Sequence, residues 1–130
     1  MISDDLLHGR SVLVVDDDPM IADELAELLD GFDMSVLGPC RSVSEAEDML
    51  LRQQPDCAVL DISLAGKMSF PFAEVMCKRK VPFLFLSGHS SIILPPALAD
   101  QTVLPKPFNR RSLERALHAL LDTAPACAPV

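Results

Sequence analysis

Apolar residues fall in short uninterrupted blocks along this chain, and the segments between them repeat apolar positions every three or four residues. Uninterrupted blocks rich in branched side chains are typical of strands that are covered on both faces. The three- to four-residue repeat, with polar residues opposite, is typical of amphipathic helices. Strands that alternate with helices predict an α/β fold with a doubly wound, five-stranded parallel sheet. The predicted strands cover residues 12–15, 34–37, 57–61, 82–86 and 102–104, and the predicted helices cover 19–30, 42–53, 69–80 and a last segment from 109.

Several helix ends carry local signals. Asp18 stands directly before Pro19, and a capping carboxylate followed by proline is a common helix start. Ser42 and Glu45 have the spacing of a capping box, in which each side chain satisfies a backbone amide of the other residue. Gly31 is expected to end the first helix as its C-cap.

The crossover between the fourth and fifth strands departs from this pattern. Pro95 and Pro96 interrupt residues 88–100. Proline lacks an amide hydrogen and restricts the residue before it, so little more than one helical turn fits here. We therefore expect the fourth helix to be short or mobile.

Length, charge and cysteine content limit the number of domains, the kinds of partner and the cellular setting that we expect. The 130 residues suit one domain, expected at 10–122 between tails at 1–9 and 123–130, with no second domain attached. A formal charge of −8 argues against nucleic acid as a direct partner. No apolar run is long enough to cross a membrane, and no signal peptide is recognisable. The four cysteines lack the spacing of a metal site, so a reduced, cytoplasmic setting is expected.

Three consecutive carboxylates, Asp16, Asp17 and Asp18, follow the first predicted strand. In open α/β sheets, ligands bind at the carboxyl ends of the strands. Adjacent carboxylates repel one another, and a hard, oxygen-seeking cation such as Mg²⁺ would hold them together. The alternative is a solvated acidic turn that only caps a helix.

Three further polar residues follow later strands: Asp61, Ser87 and Lys106. Since parallel strands end at one edge of a sheet, these side chains should converge with the acidic cluster. Such a set supports phosphoryl transfer to a carboxylate, in which Asp61 attacks phosphorus and a divalent ion is held by Asp17 and Asp61. Lys106 and Ser87 would contact the phosphoryl oxygens. Taken singly, Lys106 could be a solvated loop residue, Ser87 a turn residue and Asp61 a helix cap.

Four motifs at successive strand ends resemble the receiver domain of two-component response regulators, which has a flavodoxin-like fold. The resemblance covers about residues 10–122 and implies a single-domain response regulator that catalyses only its own phosphorylation and dephosphorylation. Its phosphoryl donor would be a histidine kinase or a histidine phosphotransfer protein, and its downstream protein is unknown. The motifs are Val-Leu-Val-Val-Asp-Asp-Asp-Pro at 12–19, Pro-Asp-Cys-Ala-Val-Leu-Asp at 55–61, Phe-Leu-Phe-Leu-Ser-Gly at 83–88 and Lys-Pro-Phe at 106–108.

The resemblance also implies roles for single residues. Asp61 would be the phosphoacceptor, and Lys106 and Ser87 would be the lysine and hydroxyl of the family. Mg²⁺ would be bound by Asp17, by Asp61 and by the backbone carbonyl of Ser63. Asp16 would be a further ligand or act through water. The bond between Lys106 and Pro107 is expected to be cis.

Two features set this chain apart within the family that it resembles. Ser-Phe-Pro-Phe-Ala at 69–73 and Val-Pro-Phe-Leu-Phe-Leu-Ser-Gly at 81–88 are similar to the α-proteobacterial FATGUY-type subgroup, which is associated with HWE-type kinases. Val103 stands where receivers usually carry a Tyr or Phe that rotates inward on phosphorylation. Without that aromatic residue, residues 88–100 are expected to become ordered on phosphorylation instead. His89 could lie at the rim of the site.

Two alternatives come from other classes of protein. A pseudo-receiver would have the fold but bind partners without being phosphorylated. A haloacid dehalogenase-type phosphatase would use the Asp16–Asp18 cluster as its nucleophile motif, but this leaves Asp61 unexplained, and the only acids after Lys106 are Glu114 and Asp122, on or at the end of the last helix.

Overall fold

The computed structural model describes residues 6–88 and 93–122 and confirms the predicted α/β architecture. Its main sheet has five parallel strands in the order β2-β1-β3-β6-β7. These strands are β1 (Ser11–Val15), β2 (Ser35–Cys40), β3 (Cys57–Asp61), β6 (Phe83–Ser87) and β7 (Val103–Pro105). The helices are α1 (Pro19–Gly31), α2 (Val43–Arg52), α3 (Phe70–Lys78) and α4 (Arg110–Asp122). Two short strands, β4 (Ser63–Leu64) and β5 (Lys67–Met68), form an antiparallel hairpin before α3.

Helices cover both faces of the sheet, because alternate residues of each central strand point to opposite sides. From β1, Leu13 and Val15 pack in the layer that holds α2 and α3. Val12 and Val14 pack in the opposite layer, with α1 and α4. All five residues of β3 and all five of β6 are buried. This double cover explains why both strands are apolar up to their last residue.

The start of α1 follows the sequence signal, whereas the signals at the end of α1 and the start of α2 are only partly met. Asp18 caps α1 by accepting a 3.0 Å hydrogen bond from the Met20 amide. Gly31 lies within the helix, and Phe32 is the C-cap, so the predicted glycine cap is wrong. The chain reverses at Asp33 instead, whose φ is 64°.

The α2 cap is a modified capping box. Ser42 accepts a 3.1 Å hydrogen bond from the Glu45 amide, as predicted. The Glu45 carboxylate accepts from the amide of Arg41, at 2.8 Å, rather than from that of Ser42. The return bond is thus displaced by one residue, and two amides are still satisfied.

The helical part of the crossover before β7 is short within the described residues, as its two prolines predict. Among residues 93–102, the helical structure is one turn of 3-10 helix at Pro96–Leu98. Leu98 anchors this turn in the core and is 1 % exposed. The predicted rim residue His89 lies outside the described residues, as does part of the segment 88–100.

Three local features compare as follows with what the sequence predicted. Leu7, placed in the N-terminal tail, is fully buried in the layer with α1 and α4. The Lys106-Pro107 bond is cis, as expected, and the Gly38-Pro39 bond is also cis. No helix within the described ranges is both long and apolar enough to cross a membrane.

The cysteines agree only in part with the expectation of reduced thiols. Cys40 and Cys57 are free and buried. Burial, with a smaller effect of the Asp56 charge, raises the pKa of Cys57 to about 12, so this thiol stays protonated and fills the core. Cys77 is disulfide-bonded, which the expectation of reduced cysteines did not include.

Candidate functional site

The polar residues predicted to converge do lie together at the carboxyl edge of the sheet. Asp16 follows β1, Asp61 ends β3, Ser87 ends β6 and Lys106 follows β7. Parallel register brings these ends to one edge, since Asp61 pairs with Leu86 and Ser87 pairs with Pro105. The polar residues that follow or end the apolar strands therefore lie together in one small region.

Lys106 is the centre of the charge arrangement. Its Nζ lies 3.1 Å from Asp61 Oδ2 and 3.3 Å from Asp16 Oδ2. Its backbone amide donates to the Ser87 carbonyl at 2.8 Å, which fixes its chain beside β6. Burial lowers the pKa of Lys106, but the charges of Asp61 and Asp16 outweigh this effect and raise it overall. Lys106 is therefore a permanent cation at this site.

Asp16 is fully buried, which is unusual for a carboxylate. Its Oδ1 accepts a 2.9 Å hydrogen bond from the Asp18 amide. Its Oδ2 is within ion-pair distance of Lys106 but has no hydrogen-bond partner among the described residues. A buried carboxylate oxygen without a hydrogen bond is costly. This oxygen is thus available to a further cationic ligand.

Asp17 lies at the exposed side of the cluster and contacts the β4–β5 hairpin. Its Oδ2 accepts a 2.9 Å hydrogen bond from the amide of Ala65. Ala65 and Gly66 form the two-residue turn of the hairpin, with φ angles of 51° and 82°. Gly66 indicated a turn in the sequence, but no sequence signal predicted that a backbone amide of this turn would hold Asp17.

Asp61 is held both through its carboxylate and through its main chain. The Ser63 amide donates to Oδ1 at 3.3 Å, and Lys106 donates to Oδ2 at 3.1 Å. Behind the side chain, the Ser69 hydroxyl donates to the Asp61 carbonyl oxygen at 2.6 Å. Sequence analysis missed this contact of Ser69, which it treated as the start of a helix and as part of the motif at 69–73.

Burial raises the pKa of Asp61 from its ordinary 3.8 to about 6, and the negative charge of Asp16 adds to this effect. Lys106 and the Ser63 amide act in the opposite direction but do not cancel it. Asp61 is therefore ionised at neutral pH, yet it is a more basic carboxylate than an exposed aspartate.

The cluster has the chemistry of a site for a hard divalent cation. Oxygens of Asp16, Asp17 and Asp61 lie within 4.8 Å of one another. Three carboxylates face one lysine, so negative charge remains in excess. Oxygen-only donors suit Mg²⁺ or Ca²⁺. Asp16 Oδ2 lies 3.3 Å from Lys106 Nζ but accepts no hydrogen bond from the described residues, so it can still serve as a ligand. The residues present therefore fit the cation that the sequence predicts.

The alternatives for the single residues do not agree with this geometry. Lys106 makes two ion pairs and has a side chain only 17 % exposed, so it is not a solvated loop lysine. Asp61 does not cap α3, because Ser69 occupies the N-cap position of that helix. Ser87 is 4 % exposed and belongs to β6 rather than to a surface turn. Val103 lies in β7 and packs at the edge of the core.

Comparison with known proteins places this chain among signalling proteins. The family model described as "Response regulator receiver domain" matches residues 12–118. The Sensory transduction protein LytT of Bacillus subtilis is 31 % identical over 110 residues, which are 82 % of this chain and 46 % of that protein. The Positive alginate biosynthesis regulatory protein of Pseudomonas aeruginosa is 32 % identical over 114 residues. This chain spans less than half of the length of either relative.

Solved structures give the same result. SdrG from Sphingomonas melonis Fr1 is 33 % identical, with a TM-score of 0.76 over 88 % of this chain and 98 % of that one. A BeF3-activated conformation of SdrG matches with a TM-score of 0.75 over 92 % of this chain and 99 % of that one. The REC domain of PhyR from Erythrobacter litoralis has a TM-score of 0.77 at 19 % identity, over 95 % of this chain and 98 % of that domain, which shows the shared fold alone.

Mg²⁺ is expected to raise the melting temperature of the protein. A ligand that binds only the folded state stabilises it by about 2.7 kcal/mol at a hundredfold excess over its Kd. Asp17→Asn keeps an oxygen that can accept from the Ala65 amide but removes one charge from the cluster. We therefore expect this variant to melt higher than wild type in EDTA and to lose most of the response to Mg²⁺.

Differential scanning fluorimetry over a Mg²⁺ titration measures both effects. Asp23→Asn is the matched control, since it removes an exposed charge of α1 and should leave the Mg²⁺ response intact. A wild-type protein whose melting is indifferent to Mg²⁺ would contradict the metal site.

Asp61→Asn is expected to stabilise the metal-free protein at neutral pH. Because the folded-state pKa of Asp61 is about 6, above its ordinary 3.8, ionised Asp61 destabilises the fold above pH 6. This effect is lost as the pH falls through that range to the ordinary value. The pKa difference sets an upper bound of about 3 kcal/mol on the gain.

Thermal unfolding of both proteins in EDTA tests this sign. The stability difference should shrink by about half between roughly pH 7.5 and roughly pH 5, as the folded state takes up a proton at Asp61. A difference of the same size at both pH values would show that Asp61 is not perturbed by its surroundings.

Proposed function

Because this chain belongs to the response regulator receiver domain family, we propose that it is a phosphoacceptor that is phosphorylated on Asp61. The donor is a phosphohistidine of a histidine kinase or of a histidine phosphotransfer protein. The phosphorylated protein then signals by protein–protein contact, or passes the phosphoryl group on, in a two-component system.

One observation carries this proposal: the buried carboxylate of Asp61 lies close to a fixed cation and to two further carboxylates. Lys106 Nζ is 3.1 Å from Asp61 Oδ2, and oxygens of Asp16 and Asp17 lie within 4.8 Å of an Asp61 oxygen. If Asp61 only formed a buried ion pair with Lys106, two more carboxylates nearby would weaken that pair by repulsion. A carboxylate that receives a phosphoryl group needs several positive charges around it. The two further acids can bind a divalent cation, which would supply some of that charge.

The reaction uses Asp61 as its nucleophile. A carboxylate oxygen forms the new bond to phosphorus while the bond from phosphorus to the donor histidine nitrogen breaks, so the imidazole leaves with the electron pair of that bond. The raised pKa of Asp61 makes this oxygen more basic, and a value of about 6 still leaves it ionised at neutral pH. The product is an acyl phosphate on β3.

Lys106 and Ser87 are proposed to bind the phosphoryl oxygens. Lys106 is already held at the site by its backbone bond to the Ser87 carbonyl and by its pairs with Asp16 and Asp61. Its ammonium group can follow the charge from the Asp61 carboxylate to a phosphoryl oxygen with a small movement. The Ser87 hydroxyl, at the end of the adjacent strand, would donate to a second oxygen.

Asp16, Asp17, Asp61 and the Ser63 backbone carbonyl are proposed to hold Mg²⁺. When bound, this ion neutralises the carboxylates and the oxygens of the transferred phosphoryl group. The chain contributes a rigid arrangement of oxygens, because Asp16 is bonded to the Asp18 amide and Asp17 to the Ala65 amide. Positioning of this kind is the larger part of catalysis in phosphoryl transfer.

Relatives support the proposal from outside the chain. LytT is called a sensory transduction protein, and SdrG has a structure described as BeF3-activated. We propose a cytoplasmic setting, where such donors act, and we propose neither nucleic acid nor a membrane as a direct partner. Membership of the FATGUY-type subgroup stays a prediction, as does the absence of an attached second domain.

The family match sets aside the haloacid dehalogenase alternative. The pseudo-receiver alternative differs from the proposal in one measurable property, since a pseudo-receiver takes up no phosphoryl group.

Acetyl phosphate with Mg²⁺ is expected to add one phosphoryl group to the wild-type protein. Intact-mass spectrometry follows the addition, and Asp61→Asn should show none. Asp23→Asn should be modified like wild type, because Asp23 lies on the exposed face of α1. An unmodified wild-type protein would favour the pseudo-receiver, and addition to Asp61→Asn would place the phosphoacceptor elsewhere.

Phosphorylation is expected to increase hydrogen-exchange protection mainly within residues 88–100. Ser87 would be drawn towards the phosphoryl group, and the chain that follows it leads to the 3-10 turn anchored by Leu98. Helix α2 serves as the internal reference, because no residue of the site belongs to it. Equal protection of residues 88–100 in both states, with changes elsewhere, would exclude this segment as the switch.

A further inference from the structure

The loop between Asp61 and α3 is held more firmly than a surface loop of its length requires. The Ile62 amide donates to the Leu86 carbonyl at 3.0 Å, which continues the β3–β6 pairing beyond the last strand residue. Leu64, in the hairpin, is 5 % exposed and packs in the core layer with α2 and α3. Ala65 contacts Asp17. The loop thus contacts both the acidic cluster and the core.

Ser69, at the end of this loop, is buried and bonds back to the start of the loop. It is 1 % exposed, and its amide donates to the Ile62 carbonyl at 2.7 Å. Its hydroxyl lies 2.6 Å from the carbonyl oxygen of Asp61. A carbonyl oxygen can only accept, so the hydroxyl proton must point to Asp61. One buried side chain therefore bonds directly to the main chain of the proposed phosphoacceptor.

This contact replaces the usual role of a serine at this place. Ser69 is the N-cap of α3, where a serine oxygen normally accepts from an amide of the first helical turn. Its side chain makes no such capping bond. By contrast, Ser42 caps α2 in the ordinary way. The Ser69 hydroxyl thus acts on Asp61 instead of stabilising the helix that it precedes.

We propose that Ser69 is a positioning residue for phosphoryl transfer, whose hydroxyl fixes the main chain of Asp61 and thereby sets where the attacking carboxylate stands. This inference rests on the proposed function. The two groups that hold the carboxylate itself, Ser63 and Lys106, bind it at 3.3 Å and 3.1 Å, and Lys106 is shared with Asp16. The shorter bond from Ser69 acts on the backbone, which does not change partners during the reaction.

Loss of this bond should slow phosphorylation more than it affects the fold. A small misplacement of a reacting group can reduce a rate by a large factor. For Ser69→Ala we expect the rate of phosphorylation by acetyl phosphate at saturating Mg²⁺ to fall about tenfold. Ser69→Thr retains a hydroxyl and should recover the rate to within about threefold of wild type.

Ser11→Ala is the matched control. Ser11 lies at the amino end of β1, at the edge of the sheet opposite the site, and its hydroxyl bonds with Asp56 in two contacts of 3.0 Å and 3.3 Å. Removing it should lower the melting temperature by a few degrees, roughly as Ser69→Ala does. Its phosphorylation rate should stay at the wild-type value. All rates are measured by intact mass well below the melting temperatures, with circular dichroism to establish folding.

A Ser69→Ala protein as fast as wild type would overturn the inference, and so would a Ser11→Ala protein slowed to the same degree. A Ser69→Thr protein as slow as Ser69→Ala would overturn the assignment to the hydroxyl. These results are separable from a failure of the proposed function. That failure is a wild-type protein that takes up no phosphoryl group, and it would overturn both proposals together.

Discussion

The site depends on the placement of one ammonium group between two buried carboxylates. Lys106 lies 3.1 Å from Asp61 and 3.3 Å from Asp16, both of which are almost wholly removed from water. Without this cation, two adjacent negative charges would face each other at low dielectric, which proteins avoid by neutralising one of them. With it, three carboxylates still face one ammonium group. The pKa of Asp61 stays raised, mainly by burial and further by the charge of Asp16. Lys106 therefore reduces the repulsion between the carboxylates enough for the protein to fold, and a further cation would reduce it more.

The fold makes this arrangement possible because the charges lie at the ends of strands whose interiors are apolar. The apolar interiors of β3 and β6 are buried between the layers on each side, and this burial stabilises the fold. The carboxyl edge then bears Asp61, whose ionised carboxylate destabilises the fold. Such local conflict between stability and chemistry is typical of functional sites.

The loop between Asp61 and α3 joins the parts of the site that the sheet does not. Its hairpin bonds to Asp17, and Ser69 at its end bonds to the main chain of Asp61. One short segment thus contacts both the Asp17 carboxylate and the main chain of Asp61.

The sequence by itself determined the fold class, the strand order along the chain and the identity of the polar residues at the strand ends, because these follow from local periodicity and from the rule that parallel strands end at one edge. It also indicated the short fourth helix, since the effect of proline is local. The tertiary structure alone decided that Asp16 rather than Asp17 is the buried acid, that Ala65 holds Asp17, and that Ser69 bonds to Asp61 rather than capping its helix. It also moved the reversal after α1 from Gly31 to Asp33. These features depend on which neighbours reach a given atom across the chain, and no local pattern of residues encodes such distances.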